Sequence, residues 1–487
     1  MNQAIYVGLD IGTTAIKVSA VTRQLEAVYE EQYAYDYLTP QKGWTEIEPD
    51  TWVEIVLEGL KDMFQQIPAE TVAGIGITGQ MHTTVFVDKH GLSVRPAILW
   101  NDNRTKEQIS HIKQRLETTK PSAHIAKIVS TGSPLASLLW LKENEPENYQ
   151  KTAKILIAKD YVKLKLTGTY STDYCDASTS SLYDLTKDDW SKEVQQLFEF
   201  NESLFPVIKP ASTIIGQLTC EVCTLLDIEK QIPMVSGTGD NVASALVSGS
   251  FEHDQPLVSL GTSGVVVIPN SHHQLKQTGK NVVAKITEDD QSIITQGTVQ
   301  AGAKVNSWWM ESILHSDHYS KAQAQIPKEL LGENEVLFFP HMNGEKTLFS
   351  DPSLKGAFVG LGLETTREEM YLAVLEGLAY GIRQLFRSMK NDEQPDYFTI
   401  VGGGAKSELW IEIFANVLGR PIKRVLASQE AVHGAAILAI MGVEGHFTFP
   451  DSEFQMIEPH TSLIKKYDKA YQKYLKLTQM ILLAGGK

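Results

Sequence analysis

Only three cysteines occur among the 487 residues, too few for a disulfide framework and in keeping with a reducing compartment. No apolar run approaches the roughly 20 residues that a membrane-spanning helix needs, which excludes a helical membrane protein. Positive charge is also short. The 44 Lys and Arg face 59 Asp and Glu, for a formal net charge of −15. That balance argues against nucleic acid or an anionic membrane surface as the main partner, and leaves room for a local anion site. No basic segment precedes the first apolar stretch, which already contains Asp10. A signal peptide is therefore not expected, and the expected location is the cytoplasm.

What is present is the composition of an ordinary globular protein, 42% hydrophobic and 21% charged. At 487 residues the chain is too long for one compact core, so two or more domains are expected. Cys220 and Cys223 form a CxxC in "GQLTCEVCTLLDIEK". With no second CxxC and no nearby histidine, in a helical pattern, the spacing reads as a coincidence on a helix rather than a redox pair or half a zinc site.

The opening stretch "YVGLDIGTTAIKVSAV" sets Asp10, Gly12, Thr13 and Thr14 between two apolar runs. It reads as a β-hairpin, and the same residues suit a phosphate clamp. A third extended segment covers residues 25 to 35. In "EPDTWVEIVLEGLKDMFQQIP" a helix follows, with Asp50 as N-cap, Trp52, Val56, Leu60 and Met63 on one face and Pro68 at its end. "VAGIGITG" is then a short buried strand, and the alternation indicates an α/β domain. The design restarts at "PLVSLGTSGVVVI", a second hairpin with similar turn chemistry, which suggests two related halves meeting near residue 250.

Later, "YFTIVGGGAKSELWIEIFANVLG" is a strand, a glycine turn and a helix. Glycines at the end of such a strand form either a tight turn or a place where a nucleotide touches the backbone. In "TTREEMYLAVLEGLAYGIRQLF", Thr366 and Glu369 have capping-box spacing. Gly377 and Gly381 share one helix face, which points to close packing.

Three further segments can bear chemistry. In "MVSGTGDNVASALVSG", Asp240 follows a strand and lies among small residues, suiting a general base, a helix N-cap, or both. "GITGQMHTTVFVD" puts Gln80, Met81 and His82 on a turn between apolar strands. "AILWNDNRTKEQ" gathers Trp100, Asn101, Asp102 and Arg104, a mixture suited to a polyhydroxylated ligand.

The segments "GLDIGTT", "GQMH", "ILWNDNR", "AKDYVKLKLTG", "DASTSSLYDL", "GTGDN", "SLGTSG" and "GGGAKSELW" span nearly the whole chain. In that order they resemble the FGGY carbohydrate kinases of the actin-like ATPase superfamily. The resemblance implies an α/β fold of two RNase H-like domains flanking a catalytic cleft, residues 1–249 mainly for sugar and 250–487 mainly for ATP. It implies ATP and Mg²⁺ as cofactors and a ketose as the substrate partner, D-xylulose first, with gluconate, L-xylulose or ribulose as alternatives. A homodimer is common among such kinases.

By the same resemblance, Asp10, Gly12, Thr13 and Thr14 form one phosphate loop, with Asp10 facing Mg²⁺ through water. Gly261, Thr262 and Ser263 form the second. Gly403, Gly404, Ala405 and Ser407 line the adenosine pocket. Gln80, Met81, His82, Trp100, Asn101, Asp102, Asp240 and Asn241 hold the sugar, and Asp240 is the base. The chain departs from the usual pattern at Thr83, where glycine commonly follows Met-His and where a side chain narrows the sugar pocket. It departs again in "GEKTLFSDP", where Lys346 and Leu348 replace Arg and Pro. Lys cannot reproduce a bidentate Arg contact.

Overall fold

The computed structural model describes residues 3–117, 123–251, 254–261, 263–270, 278–349, 351, 353–389, 394–425, 430–449 and 454–485. Two compact units emerge. The first is Met1–Val247 with Val282–Ile293 and Glu430–Pro450; the second is Ser248–Asn281, Ile294–Gln429 and Asp451–Lys487. Among the described residues no helix is long and apolar enough to cross a membrane.

In the first unit, β1 (Ile5–Ile11), β2 (Ala15–Thr22) and β3 (Ala27–Ala34) form an antiparallel meander. After α1 (Asp50–Phe64), β4 (Val72–Gly79) pairs parallel with β1 on its other side. The helix α2 (Ala158–Thr167) follows, then β5 (Ile214–Gln217) and β6 (Pro233–Val235), which extend the sheet to the order β5-β6-β4-β1-β2-β3. Covered on both faces, β1 is an almost continuous apolar run, as a central strand requires. Asp240–Val247 forms α3. A small sheet of Glu46–Ile47, Ala97–Ile98, Thr84–Val87 and Lys154–Ile157 lies beside these elements in the same unit.

Asp50 does not cap α1. Pro49 occupies that position in helical geometry without a side-chain cap, and the Asp50 carboxylate instead accepts from the Tyr161 hydroxyl at 2.5 Å. Cys220 and Cys223 do lie on a helix, Cys220–Leu226, capped by Thr219. Among the described residues no group of three or more His, Cys, Asp or Glu is placed to hold a metal ion.

The second unit repeats the plan. β7 (Leu257–Leu260) and β8 (Gly264–Asn270) form the second hairpin, followed by β9 (Lys280–Val283) and β10 (Ile293–Val299). The long helix α4 (Arg367–Met389) leads to β11 (Phe398–Val401), which pairs parallel with β7 just as β4 pairs with β1. Then come α5 (Glu408–Leu418) and β12 (Ile422–Val425). The helix α6 (Ala431–Glu444) precedes β13 (Phe454–Ile457), giving the sheet order β9-β10-β8-β7-β11-β12-β13.

The capping box at α4 is formed. The Thr366 N–H donates to the Glu369 carboxylate at 2.7 Å, and the Glu369 N–H returns to Thr366 Oγ1 at 3.2 Å. Gly377 is there for packing, since a Cβ would stand 2.2 Å from the Phe338 carbonyl oxygen.

Although α6 lies late in the chain, it belongs to the first unit. It rests directly on the backbone of β1 and β4. A Cβ at Gly8 would come within 2.0 Å of Val432 O, and one at Gly76 within 1.8 Å of Ala435 O. Any larger residue at either position would push the helix off the sheet.

Candidate functional site

In the first unit, register brings two carboxylates together. Asp10 pairs in parallel with Thr78 of β4, and Thr78 pairs in parallel with Thr238. At roughly 4.8 Å per strand, the segment leading into Asp240 runs about two strands from Asp10. Burial, and then the Asp240 charge, push the Asp10 carboxyl up to about 7, against the cross-strand Lys17, which lowers it. Burial likewise raises Asp240 to about 6, partly offset by the Asn241 N–H, which donates to it at 2.8 Å. Gly239 gives this segment its closeness to Met81 and Cys175, whose side chains stand under 3 Å from where its Cβ would be. Asn241 Nδ2 lies 3.6 Å from the Met81 sulfur, and His82 turns through a left-handed backbone with φ of 71°.

The hairpin turn is held from outside itself. The Gly12 N–H closes the turn on Ala15 O at 3.1 Å. Its carbonyl accepts from Gln80 Nε2 at 3.1 Å and from the Tyr35 hydroxyl, and Tyr35 is in turn fixed by Trp52 Nε1 at 3.0 Å. Thr13 is half-buried and Thr14 exposed. The Trp100 indole N–H reaches Thr13 Oγ1 at 3.0 Å while its ring remains 47% exposed. Tyr35, on an outer extended segment, carried no sequence signal for this role.

Asp102 has a different place from the one its motif suggests. It is fully buried, and its two oxygens accept from the backbone N–H groups of Thr45 and Arg104 and from the Arg104 guanidinium, at 2.6 to 2.9 Å. Arg104 in turn bonds Glu46 at 2.6 Å, stacks 3.9 Å from the Trp44 ring centre, and shares Glu46 with Arg95. Asp102 thus organises the turn that presents Trp100 and Asn101, and offers no oxygen to solvent. Asn101 accepts from Thr45 Oγ1 at 2.8 Å. Thr83 is also fully buried, so it does not narrow a pocket. In the second unit, the "GEKTLF" loop is shaped by Glu345, which accepts from the N–H groups of Thr347 and Phe349. Lys346 is exposed.

Behind Asp240 lies a buried charge cluster that sequence reasoning missed. Lys159 Nζ meets Asp160, Asp173 and Asp176 at 2.8, 2.9 and 3.0 Å, and Lys163 bridges Asp160 and Ser236 O at 3.0 and 2.8 Å. Thr238 Oγ1 donates to Asp173 at 2.9 Å, and Thr78 Oγ1 to Thr238 O at 2.7 Å. The backbone entering Asp240 is therefore pinned at both Ser236 and Thr238. Burial pushes the Asp176 carboxyl well above the ordinary carboxylate range, against the pull of Lys159. Burial opposes the charge on Lys159, but its three aspartates outweigh it and hold its pKa above the ordinary value. The four-residue spacing of Lys159 and Lys163 on α2 was the available clue.

The second unit holds a cavity of about 710 Å³, lined by the backbone of Gly261, Gly403 and Gly404 and by Asn306, Gln323 and Ser407. Its size suits a nucleotide-scale ligand, and a Cβ at Gly403 would meet nothing within 4 Å, so bare backbone faces the space. One wall is a neutral relay. Ser407 Oγ donates to Gln323 at 2.8 Å, Gln323 Nε2 to the Tyr371 hydroxyl at 3.2 Å, and that hydroxyl to Asn306 at 2.8 Å. Lys304 and Lys406 add positive charge, and Glu311 a single negative one. Ala405 packs into the core instead, because the turn of 3₁₀ helix at Gly403–Lys406 directs successive residues to different sides. Ser263 is half-buried and off the cavity wall, and Thr262 lies outside the described residues.

The oxygen donors fit the groups such a site would hold. Magnesium keeps several waters and needs only one or two carboxylates, which Asp10 with Asp240 nearby can supply. A glycine-lined cavity with lysines fits an adenine nucleotide. Fold and site together define a phosphotransferase acting on a small hydroxylated substrate.

The comparisons make this specific. Residues 5–247 match the FGGY family of carbohydrate kinases, N-terminal domain, and residues 257–443 its C-terminal domain. A xylulose kinase from Staphylococcus xylosus is 31% identical over 482 residues, covering 98% of this chain and 99% of that protein. The crystal structure of a xyloylose kinase from Brucella ovis matches with a TM-score of 0.91 at 28% identity, over 99% of this chain and 100% of that one. A gluconate kinase from Lactobacillus acidophilus shares the fold at a TM-score of 0.90 and 22% identity, over 99% of both chains. The chain belongs to the FGGY family of carbohydrate kinases. It is an ATP-dependent carbohydrate kinase with that family's two-domain mixed α/β fold.

Proposed function

We propose that this kinase phosphorylates D-xylulose to D-xylulose 5-phosphate, with Asp240 as general base. The observation that carries the reading is the place of Asp240, at the start of α3, about two strands from Asp10 and next to Asn241, whose amide lies 3.6 Å from the Met81 sulfur; burial raises its carboxyl to about 6. An ordinary Asp, near pKa 3.9, is a weak base. Raised to about 6, it is still ionised at neutral pH and better matched to accept a hydroxyl proton. The substrate hydroxyl oxygen bonds to the γ-phosphorus of ATP as the bond to ADP breaks, and its proton passes to Asp240.

In this reading Met81, His82, Trp100, Asn101 and Asn241 orient the sugar, Trp100 through its exposed ring face. Gln80 and Asp102 shape the site from behind. Gly12, Thr13 and Thr14 serve phosphate oxygens, and Gly261, Gly403, Gly404 and Ser407 serve the nucleotide. Asp10 would hold Mg²⁺ through water; bound with ATP, the ion supplies charge neutralisation. The acidic balance and the three cysteines support a cytoplasmic enzyme.

ADP release measured against D-xylulose, L-xylulose, D-ribulose, gluconate and glycerol tests the substrate, and the reading fails if D-xylulose is no better than the rest. Asp240→Asn is expected to lower kcat by about 10²- to 10⁴-fold with KM for ATP little changed. Full activity in that variant would remove Asp240 from the proton transfer.

A further inference from the structure

Four side chains close a hydrogen-bonded ring between the sugar-side turns and the phosphate hairpin. The Thr83 hydroxyl donates to Gln80 Oε1 at 2.9 Å and accepts from the Trp100 backbone N–H at 3.2 Å. Gln80 passes on to the Gly12 carbonyl at 3.1 Å, and the Trp100 indole N–H passes on to Thr13 Oγ1 at 3.0 Å. Gly12 and Thr13 are adjacent, so the ring is complete. Thr83 is its hub because one hydroxyl oxygen both donates and accepts. Its main chain is anchored separately, with its carbonyl accepting from the Ala158 N–H at 3.2 Å and Thr84 paired to Ile98 and Ile157. The hydroxyl can therefore be removed while the strand stays in place.

We propose that Thr83 is a positioning residue whose hydroxyl couples occupation of the sugar site to the placement of the Gly12–Thr13 turn. The inference rests on the sugar-kinase reading above. A sugar seated on the exposed ring of Trp100 fixes the indole, and the indole N–H fixes Thr13. Thr83 holds the Trp100 backbone and the Gln80 amide in one register, so that both arms of the ring move together. By linkage, sugar then tightens ATP binding, and ATP tightens sugar binding by the same factor. Glycine at this position supplies no side chain to join the two arms.

The test compares the full-length wild type with Thr83→Val, which keeps the shape, and Thr83→Ser, which keeps the hydroxyl. ATP affinity is measured by calorimetry with and without D-xylulose, and KM for ATP by ADP release. Thr83→Val is expected to weaken ATP about tenfold at saturating sugar and to lose the sugar-induced tightening, while Thr83→Ser stays within about threefold of wild type. The proposal is overturned if Thr83→Val matches wild type under both conditions, or if Thr83→Ser is as impaired as Thr83→Val. If Thr83→Val does not fold, Trp100→Phe breaks the ring at its other arm, and an unchanged ATP affinity there overturns it equally. A wild type that binds ATP but phosphorylates no sugar in the panel refutes the substrate reading instead. The coupling is then read by calorimetry alone with whichever sugar of the panel binds, and an equal sugar-induced tightening of ATP in wild type and Thr83→Val overturns it.

Discussion

Beside β4 in the first unit, Lys159, Asp160, Lys163, Asp173 and Asp176 are all buried and bonded to one another. In the second unit, which has the same hairpin and parallel-strand plan, the core is aromatic. Tyr380, Tyr467, Tyr471 and Tyr474 pack around α4 close to a buried acid, Glu376. On the function proposed above, the difference follows the task of each unit. A carboxylate that must accept a proton has to be held at a fixed position and potential, which needs fixed charges and dipoles behind it. A cavity that grips its ligand through glycine backbone and a neutral Ser-Gln-Tyr-Asn relay needs only a stiff frame, and packed rings supply it.

The largest effect is expected from breaking the charge cluster. Lys159→Met leaves three aspartates without their shared cation and should cost about 3–5 kcal/mol of stability, read from the urea midpoint. Adding Asp176→Asn should restore part of that loss. A single variant as stable as wild type would show that the cluster is not needed to hold the first unit.

Next in size is the pH dependence of turnover. In the proposed function Asp240, raised by burial to about 6, and Asp10, raised to about 7, both act in the ionised form. The rate with saturating ATP should therefore rise through that window, with a slope of about tenfold per unit where one group titrates, and level off above it. A profile flat down to pH 5 would separate these carboxyls from the chemistry.

In the second unit the acid works against stability. The Glu376 carboxyl, raised by burial to about 8, keeps its proton in the folded state and loses it near 4.5 when unfolded. The folded chain thus binds more protons between those values, and its stability falls as pH rises through them. Glu376→Gln should flatten that slope and gain several kcal/mol at pH 8 but much less at pH 5, measured by denaturation at the two values. A gain that is equal at both values would contradict the linkage.

The smallest effect is expected from Tyr380→Phe. The Tyr380 hydroxyl is buried without a hydrogen-bond partner among the described residues, so its loss should change stability by less than about 0.5 kcal/mol. A large loss would mean that the aromatic core, too, depends on polar bonds.

Local pattern made much of this legible. The hairpins at Ile5–Thr22 and Leu257–Asn270 follow from short apolar runs on either side of Gly-Thr turns. The start of α4 follows from Thr366 and Glu369, because a capping box is completed within four residues. Asp50 misled, since the preceding proline already has helical geometry and the carboxylate is claimed by Tyr161, more than a hundred residues away. Asp102 misled for a similar reason. Its partner Arg104 is local, but Trp44, Thr45 and Glu46, which bury the pair, are not.

By itself, the sequence determined the family, the doubled α/β plan and the identity of most residues assigned here to catalysis and binding, because these rest on short motifs whose geometry is local. Only the tertiary structure decided which polar residues face a ligand and which support it. It turned Ala405 into the core and buried Asp102 and Thr83. It brought α6 back onto the glycines of β1 and β4, and it raised two separate carboxyls into a useful range. The physical reason is that burial, hydrogen-bond partners and local potential belong to the packed neighbourhood of a residue, and that neighbourhood is assembled from segments far apart in the chain.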